Sequence, residues 1–215
     1  MTAAPAGRPG LVGRIRSRQA GLPTGPLGRI IGRAMVKDTA AANDRALALL
    51  DLGQPRTVLD VGFGHGRTAA KLLAAGHRVL GVDASPTMVS QATARSRAAC
   101  RDGRATLVHG DGIASPFPTG SADAALTVHT LYFMADPATT MVDIARVLRP
   151  GDRMVIACRT SDDPIPRWMD PNVYRIPASA QLDRLLRVAG FIVTTHHASS
   201  GDPHHTNWFV GDLPS

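Results

Sequence analysis

Three aspartates and one glycine-rich turn are placed where they could hold a charged, hydroxyl-bearing ligand. The turn is Leu59-Asp60-Val61-Gly62-Phe63-Gly64-His65-Gly66-Arg67, between a short β-rich run and an alanine-leucine stretch. Glycines there let the backbone approach a ligand closely and leave the N–H groups of the next helix pointing at its negative charge. Asp83 ends the next β-rich run, 23 residues after Asp60, where a carboxylate can accept both hydroxyls of a ribose. Asp111, Gly112 and Ile113 follow a third such run, and a carboxylate beside a backbone N–H can bracket an adenine edge. Phe63, Ala84 and Met88 complete the candidate wall. After a fourth run stand His129 and Tyr132. Imidazole titrates near neutral pH, so His129 is a candidate to take a proton from a hydroxyl, with packing or a backbone hydrogen bond as its structural alternative. Tyr132 and Phe133 could line an acceptor pocket or belong to the core.

The elements that must position these residues alternate regularly. Thr57–Val61, Arg78–Val82, Ala105–Val108, Asp123–Val128 and Arg153–Arg159 read as five strands. Between them, an alanine-leucine helix closes on Gly76, and helices begin at Ser85-Pro86, running to about Ala99, and at Asp136-Pro137. Ser179 is expected to cap a further helix ended by Gly190. Phe191–His196 and Thr206–Val210 lie close enough to pair as an antiparallel hairpin around Gly201-Asp202-Pro203. Strands alternating with helices predict an α/β fold: a mostly parallel sheet covered on both faces, in three layers, with the hairpin at one edge. In such sheets a ligand sits beyond the carboxyl ends of the strands, which is where the residues above fall.

Length and charge bound the remaining possibilities. With 215 residues the chain fits one domain with an appended arm. We divide it into a flexible basic arm (1–26), a helical cap (27–51) and the main domain (52–215). The first 50 residues hold eight basic side chains against Asp38 and Asp44, so most of the net charge of +7 lies there and the body is nearly neutral. All 17 acids are aspartates, which removes glutamate as a general base. Cys100 and Cys158 are too few for a disulfide framework, so a reducing, cytoplasmic setting is expected, and no apolar run suggests membrane insertion. The pairs His196/His197 and His204/His205 face each other across the hairpin, but neighbouring strand residues point to opposite faces. At most one from each pair could converge, and we assign no metal site.

Gly64-His65-Gly66-Arg67-Thr68-Ala69 with a later acid also satisfies a permissive dinucleotide-binding fingerprint. Against that reading stand Asp60 inside the first strand, the third acid Asp111, and a chain too short for a second nucleotide-binding half. Taken together, the four motifs resemble the class I S-adenosylmethionine-dependent methyltransferases. Val128–Pro137 and Ala145-Arg146-Val147-Leu148-Arg149-Pro150-Gly151-Asp152 are similar to segments of the ubiquinone/menaquinone-biosynthesis-type branch, with Asp152 in place of a usual glycine. The resemblance covers about residues 45–160. It implies a Rossmann-like, seven-stranded sheet with an antiparallel final strand, and S-adenosylmethionine as cofactor. By motif, Gly62, Gly64 and Gly66 would line its methionyl and ribose part, with Asp60 near its amino end. Asp83 would hold the ribose hydroxyls, Met88 would pack near the adenine, and Asp111 and Gly112 would contact its edge. His129 and Tyr132 would lie nearest the transferred methyl. His65 could approach the cofactor carboxylate or face solvent.

For the acceptor, a small and partly apolar molecule is favoured. Cover is expected from residues 27–50 and from 160–178, which carry Trp168, Met169 and Tyr174. The segment His129-Thr130-Leu131-Tyr132 lacks the Asn/Asp-Pro-Pro-aromatic pattern used on exocyclic amines of bases, which makes a nucleic acid an unlikely acceptor. The alternatives are an RNA or protein methyltransferase that uses the basic arm, so that deleting residues 1–26 abolishes turnover, or a nicotinamide-dinucleotide-binding protein. Nothing in the sequence specifies an oligomeric state.

Overall fold

Thr57-Val58-Leu59-Asp60-Val61, a run with alternating faces and β-branched residues, forms an interior strand of a seven-stranded sheet. The computed structural model describes residues 9–25, 39–111, 114–198 and 204–215. In chain order its elements are α1 (Leu11–Gly21), α2 (Ala40–Leu50), β1 (Thr57–Val61), α3 (Arg67–Ala74), β2 (Arg78–Asp83), α4 (Pro86–Arg95) and α5 (Arg97–Arg101). There follow β3 (Ala105–His109), β4 (Ala122–Val128), a 3₁₀ turn (Leu131–Phe133), α6 (Pro137–Val147), β5 (Leu148–Cys158), α7 (Ser179–Val188), β6 (Ile192–His196) and β7 (Asn207–Asp212). The strand order is β3-β2-β1-β4-β5-β7-β6. β1 to β5 pair in parallel, whereas β7 runs antiparallel between β5 and β6. The chain steps outward from β1 to β3 and then crosses back to β4, so the switch point lies between β1 and β4.

Alternation along the strands divides the interior into two layers. Leu59, Val61, Ala125, Met154 and Ile156 face Met141, Ile144, Leu182 and Leu186 of α6 and α7. Val58, Val79, Ala124, Leu126, Val155 and Ala157 face Ala46 and Leu50 of α2 and Ala69 and Leu72 of α3. This is the expected three-layer arrangement. Two of the predicted caps are present: Ser85 accepts from the N–H of Met88, and Asp136 from that of Thr139, each before a proline that starts its helix.

Several local expectations change. Residues 11–21, read as part of a flexible arm, form a helix. Its small residues Gly13, Ser17 and Ala20 are buried, and a side chain added at Gly13 would come within 3.2 Å of the Trp168 carbonyl. Composition pointed to disorder, yet the spacing of these small residues gives one helical face that packs closely. The cap at 27–51 is described only from Thr39 onward, and its helix α2 is part of the layer on β4 and β5. The helix expected to reach Ala99 breaks at Ser96 into α4 and α5. Ser179 is the first helical residue instead of the cap, and its N–H is satisfied by the Asp162 carboxylate at 2.9 Å. Strand β5 begins earlier than expected, because Leu148 pairs with Ala122 before an irregularity that absorbs Gly151. The turn proposed at 201–203 lies outside the described residues.

Candidate active site

Beyond the carboxyl ends of β1, β2 and β4 opens a cleft of about 800 Å³. The glycine turn forms its floor. Gly62 has φ 76°, and a Cβ there would fall on the Thr130 side chain, so only glycine fits between strand end and threonine. Thr130 in turn donates to the carbonyls of Val128 at 3.2 Å and Gly62 at 3.4 Å, fastening the turn to the end of β4. Gly64 has φ 56° with open space where a side chain would project, leaving its backbone bare to the cleft. His65 also lines the cleft; its Nδ1 accepts from the N–H of Arg67 at 3.2 Å, and burial, aided by Arg95 and Arg67, lowers its pKa.

Two carboxylates lie at this turn at different depths. Asp83 lines the cleft, and its two oxygens accept from the N–H groups of Gly64 and Ser85, each at 2.8 Å. Burial raises its pKa, opposed by those two hydrogen bonds. Each oxygen retains a second lone pair, so both can still accept a hydroxyl. Asp60 lies underneath, 3% exposed, and its Oδ2 has no hydrogen-bond partner among the described residues. Burial, reinforced by the Asp83 charge, lifts its pKa from 3.8 to about 7.

Of the sequence candidates, Gly62, Phe63, Gly64, Asp83, Ala84, Met88, Asp111 and His129 line the cleft. Gly66 sits behind it, close to Ala92, at the start of α3. Gly112 and Ile113 lie outside the described residues. Tyr132, expected beside His129 in the cleft, is 2% exposed and does not reach it. The 3₁₀ turn carries its ring into the core, edge-on to Phe133 and against Tyr174, and its hydroxyl lies 3.0 Å from His129 Nδ1. The side chain that reaches the cleft from this turn is Phe133.

Part of the cover comes from where it is expected, Thr39 and Asn43 within 27–50 and Asn172 and Val173 within 160–178, and part comes from the N-terminal segment read as a flexible arm. Arg18 to Thr24, at and after the end of α1, line the cleft together with Thr39 and Asn43 of the next segment and with Asn172 and Val173. Helix α1 is held by a few side chains. Ser17 Oγ donates to the Trp168 carbonyl and accepts from the Asp170 N–H, both at 3.0 Å, and the Arg16 guanidinium lies 3.9 Å over the Trp168 ring. Ser85, the cap of α4, donates to the Pro23 carbonyl at 2.6 Å. Within 160–178, Trp168 and Met169 pack against the core instead of facing the cleft. Far from here, the hairpin histidines have separate partners: His197 with Asn207 at 2.9 Å and His205 with Asp163 at 3.7 Å.

Residues 59–156 match the family described as "Methyltransferase domain". An O-methyltransferase from Penicillium expansum is 33% identical over 151 residues, covering 67% of this chain and 55% of that protein. A demethylmenaquinone methyltransferase from Clavibacter sepedonicus is 32% identical over 149 residues, covering 62% of this chain and 59% of that one. The chain thus spans little more than half the length of the curated relatives it matches. Among solved structures, Burkholderia thailandensis 1,6-didemethyltoxoflavin-N1-methyltransferase, with S-adenosylhomocysteine bound, superposes with a TM-score of 0.70 at 26% identity. That alignment covers 100% of this chain and 94% of the other. The matched residues run from β1 through most of β5 and hold the glycine turn, Asp83, Asp111 and His129, so this stretch of the chain resembles a methyltransferase domain of the class I S-adenosylmethionine-dependent type.

Proposed function

We propose that this protein transfers the methyl group of S-adenosylmethionine to a small-molecule acceptor by in-line displacement. The observation that carries this reading is the pairing of Asp83 with the bare Gly64 backbone at the mouth of the switch-point cleft. Open space above Gly64, second lone pairs on Asp83 and the orphan carboxylate oxygen of Asp60 fit a ligand with a ribose and a cationic end. In the proposed site Asp83 holds the ribose hydroxyls, Met88 and Phe63 flank the base, Asp111 meets its edge, and Asp60 faces the amino end through the turn. When bound, the cofactor supplies an electrophilic methyl on a sulfonium. The chain's own residues hold the acceptor opposite that methyl, with His129 and Phe133 on the wall nearest it and α1 excluding water from above.

A small acceptor is favoured because the cover is close and largely apolar, with Ala20, Gly21, Leu22, Phe133, Met134 and Val173 on its inner side. The basic arm does not point to nucleic acid: Arg16 is engaged with Trp168, and Arg18 lines the cleft. Among the described residues no helix is long and apolar enough to cross a membrane. A cytoplasmic setting stays our expectation, supported by two free cysteines of which Cys158 is buried.

Calorimetric titration with S-adenosylmethionine, S-adenosylhomocysteine and NADPH tests the reading. Micromolar binding of the two sulfur compounds, weakened about 100-fold in Asp83→Ala, is expected, since a charged group with two hydroxyl partners contributes roughly 3 kcal/mol. Binding of NADPH alone would sink it and make the turn a dinucleotide site.

A further inference from the structure

Two hydrogen bonds meet at the phenolic oxygen of Tyr132. The backbone N–H of Arg159 donates to it at 2.5 Å, and His129 Nδ1 lies 3.0 Å away. The phenol keeps its own proton at physiological pH, because burial, with Cys158 next in size, holds its pKa well above the ordinary value. That proton needs an acceptor in the dry core, and an amide N–H has none to offer. The nearby Cys158 thiol, pushed up to about 12 by burial, is neutral and a weak acceptor. Nδ1 of His129 is left to receive it. A neutral imidazole has one proton, and when Nδ1 accepts, that proton is on Nε2.

We propose that Tyr132 is a positioning residue that fixes His129 as its Nε2–H tautomer, so that His129 presents a hydrogen-bond donor where a base was expected. The backbone holds the arrangement in place. His129 has φ 54°, a left-handed conformation that side-chain-bearing residues seldom adopt, held by its N–H on the Ala157 carbonyl at 2.8 Å. The 3₁₀ turn then brings Tyr132 beneath the imidazole ring.

The geometry stands alone, whereas its chemical consequence rests on the methyl-transfer reading above. In that reaction the bond from sulfur to methyl breaks with its electron pair left on sulfur, as a lone pair of the acceptor forms the new bond. Nε2 already carries a proton, so any proton the acceptor brings goes to solvent. The site therefore selects an acceptor atom that arrives with its lone pair available: an ionised phenol or enol oxygen, or an uncharged amine nitrogen. The Nε2–H group holds such an acceptor through this atom or through an oxygen beside it.

Nitrogen-15 labelling of the histidines in the full, ligand-free chain at pH 8 reads the tautomer from long-range nitrogen–proton correlations. The His129 signals are identified by their loss in His129→Gln. The wild type is expected to show His129 predominantly protonated on Nε2, and Tyr132→Phe a mixture of tautomers, with the other seven histidines unchanged. A wild-type His129 protonated mainly on Nδ1, or on both nitrogens, overturns the proposal. So does an unchanged tautomer in a cooperatively folded Tyr132→Phe. Where that variant does not fold, the wild-type spectrum decides by itself. No cofactor enters this experiment, so its outcome is independent of the calorimetric one.

Discussion

The floor of the cleft and its cover are built by different means. The floor is backbone: a glycine turn locked between β1 and Thr130, with amide groups on Asp83 and a carboxylate buried beneath. The cover is a short helix attached through Ser17, Arg16 and the Pro23 carbonyl, with exposed Leu11, Val12 and Ile15 on its far side. The first region gives up stability to hold charge where a ligand needs it, and the second is held by few contacts. Binding sites commonly draw their moving parts from the low-stability end of a structure.

The largest test of that contrast concerns Asp60. Its folded pKa of about 7 lies above the unfolded 3.8, so between those values the folded chain holds a proton that the unfolded chain has released. Ligand-free stability attributable to Asp60 is therefore present below pH 4 and lost as pH rises toward 7. The loss is roughly 4 kcal/mol once complete. Asp60→Asn should abolish this decline, so thermal unfolding at pH 8 rises well above wild type while the two converge at pH 4. The same variant should bind S-adenosylmethionine more weakly, since a neutral amide cannot face its cationic end. A variant no more stable than wild type at pH 8 would mean the floor stores no such strain.

A smaller effect is expected from the cover. Removing residues 1–25 should leave the sheet cooperative in thermal unfolding but weaken S-adenosylhomocysteine binding about tenfold, or ~1.4 kcal/mol. Arg14→Ala, at an exposed position of α1, should change neither. Truncation alone does not distinguish a nucleic-acid-binding arm from a cover. Loss of arginine charge does, because an electrostatic arm would weaken with each arginine removed. A more local effect is expected from Ser17→Ala, which strips both hydrogen bonds to the Trp168–Asp170 segment. Stability should fall by about 1–2 kcal/mol, and an acceptor's KM should rise a few-fold with cofactor affinity unchanged. An equal loss of cofactor affinity would show floor and cover to be one unit.

The same contrast explains what could be read from the sequence. The parallel strands, the caps at Ser85 and Asp136 and the glycine turn obey local rules of spacing and residue type, and apart from the early start of β5 they stand where those rules put them. The cover depends on contacts between residues far apart in the chain. Ser17 meets Trp168 across 151 positions, and within the segment itself the one signal is the helical spacing of the small residues Gly13, Ser17 and Ala20. The position of Tyr132 just after β4 predicts it in the cleft. A single 3₁₀ turn reverses its direction, and no pattern in the neighbouring residues marks that turn. Thr130 carries no signal in the sequence, because a threonine after a strand gains meaning only from the Gly62 backbone beside it.

One hydroxyl belongs to both regions. Ser85 Oγ accepts the Met88 N–H at the start of α4 while giving its own proton to Pro23. Loosening either partner changes the strength of the other bond, because a hydroxyl polarised by donation is a better acceptor. A change at Pro23, just beyond the end of α1, is therefore expected to reach the Met88 amide at the start of α4, where it would be read as a change in that proton's rate of exchange with solvent.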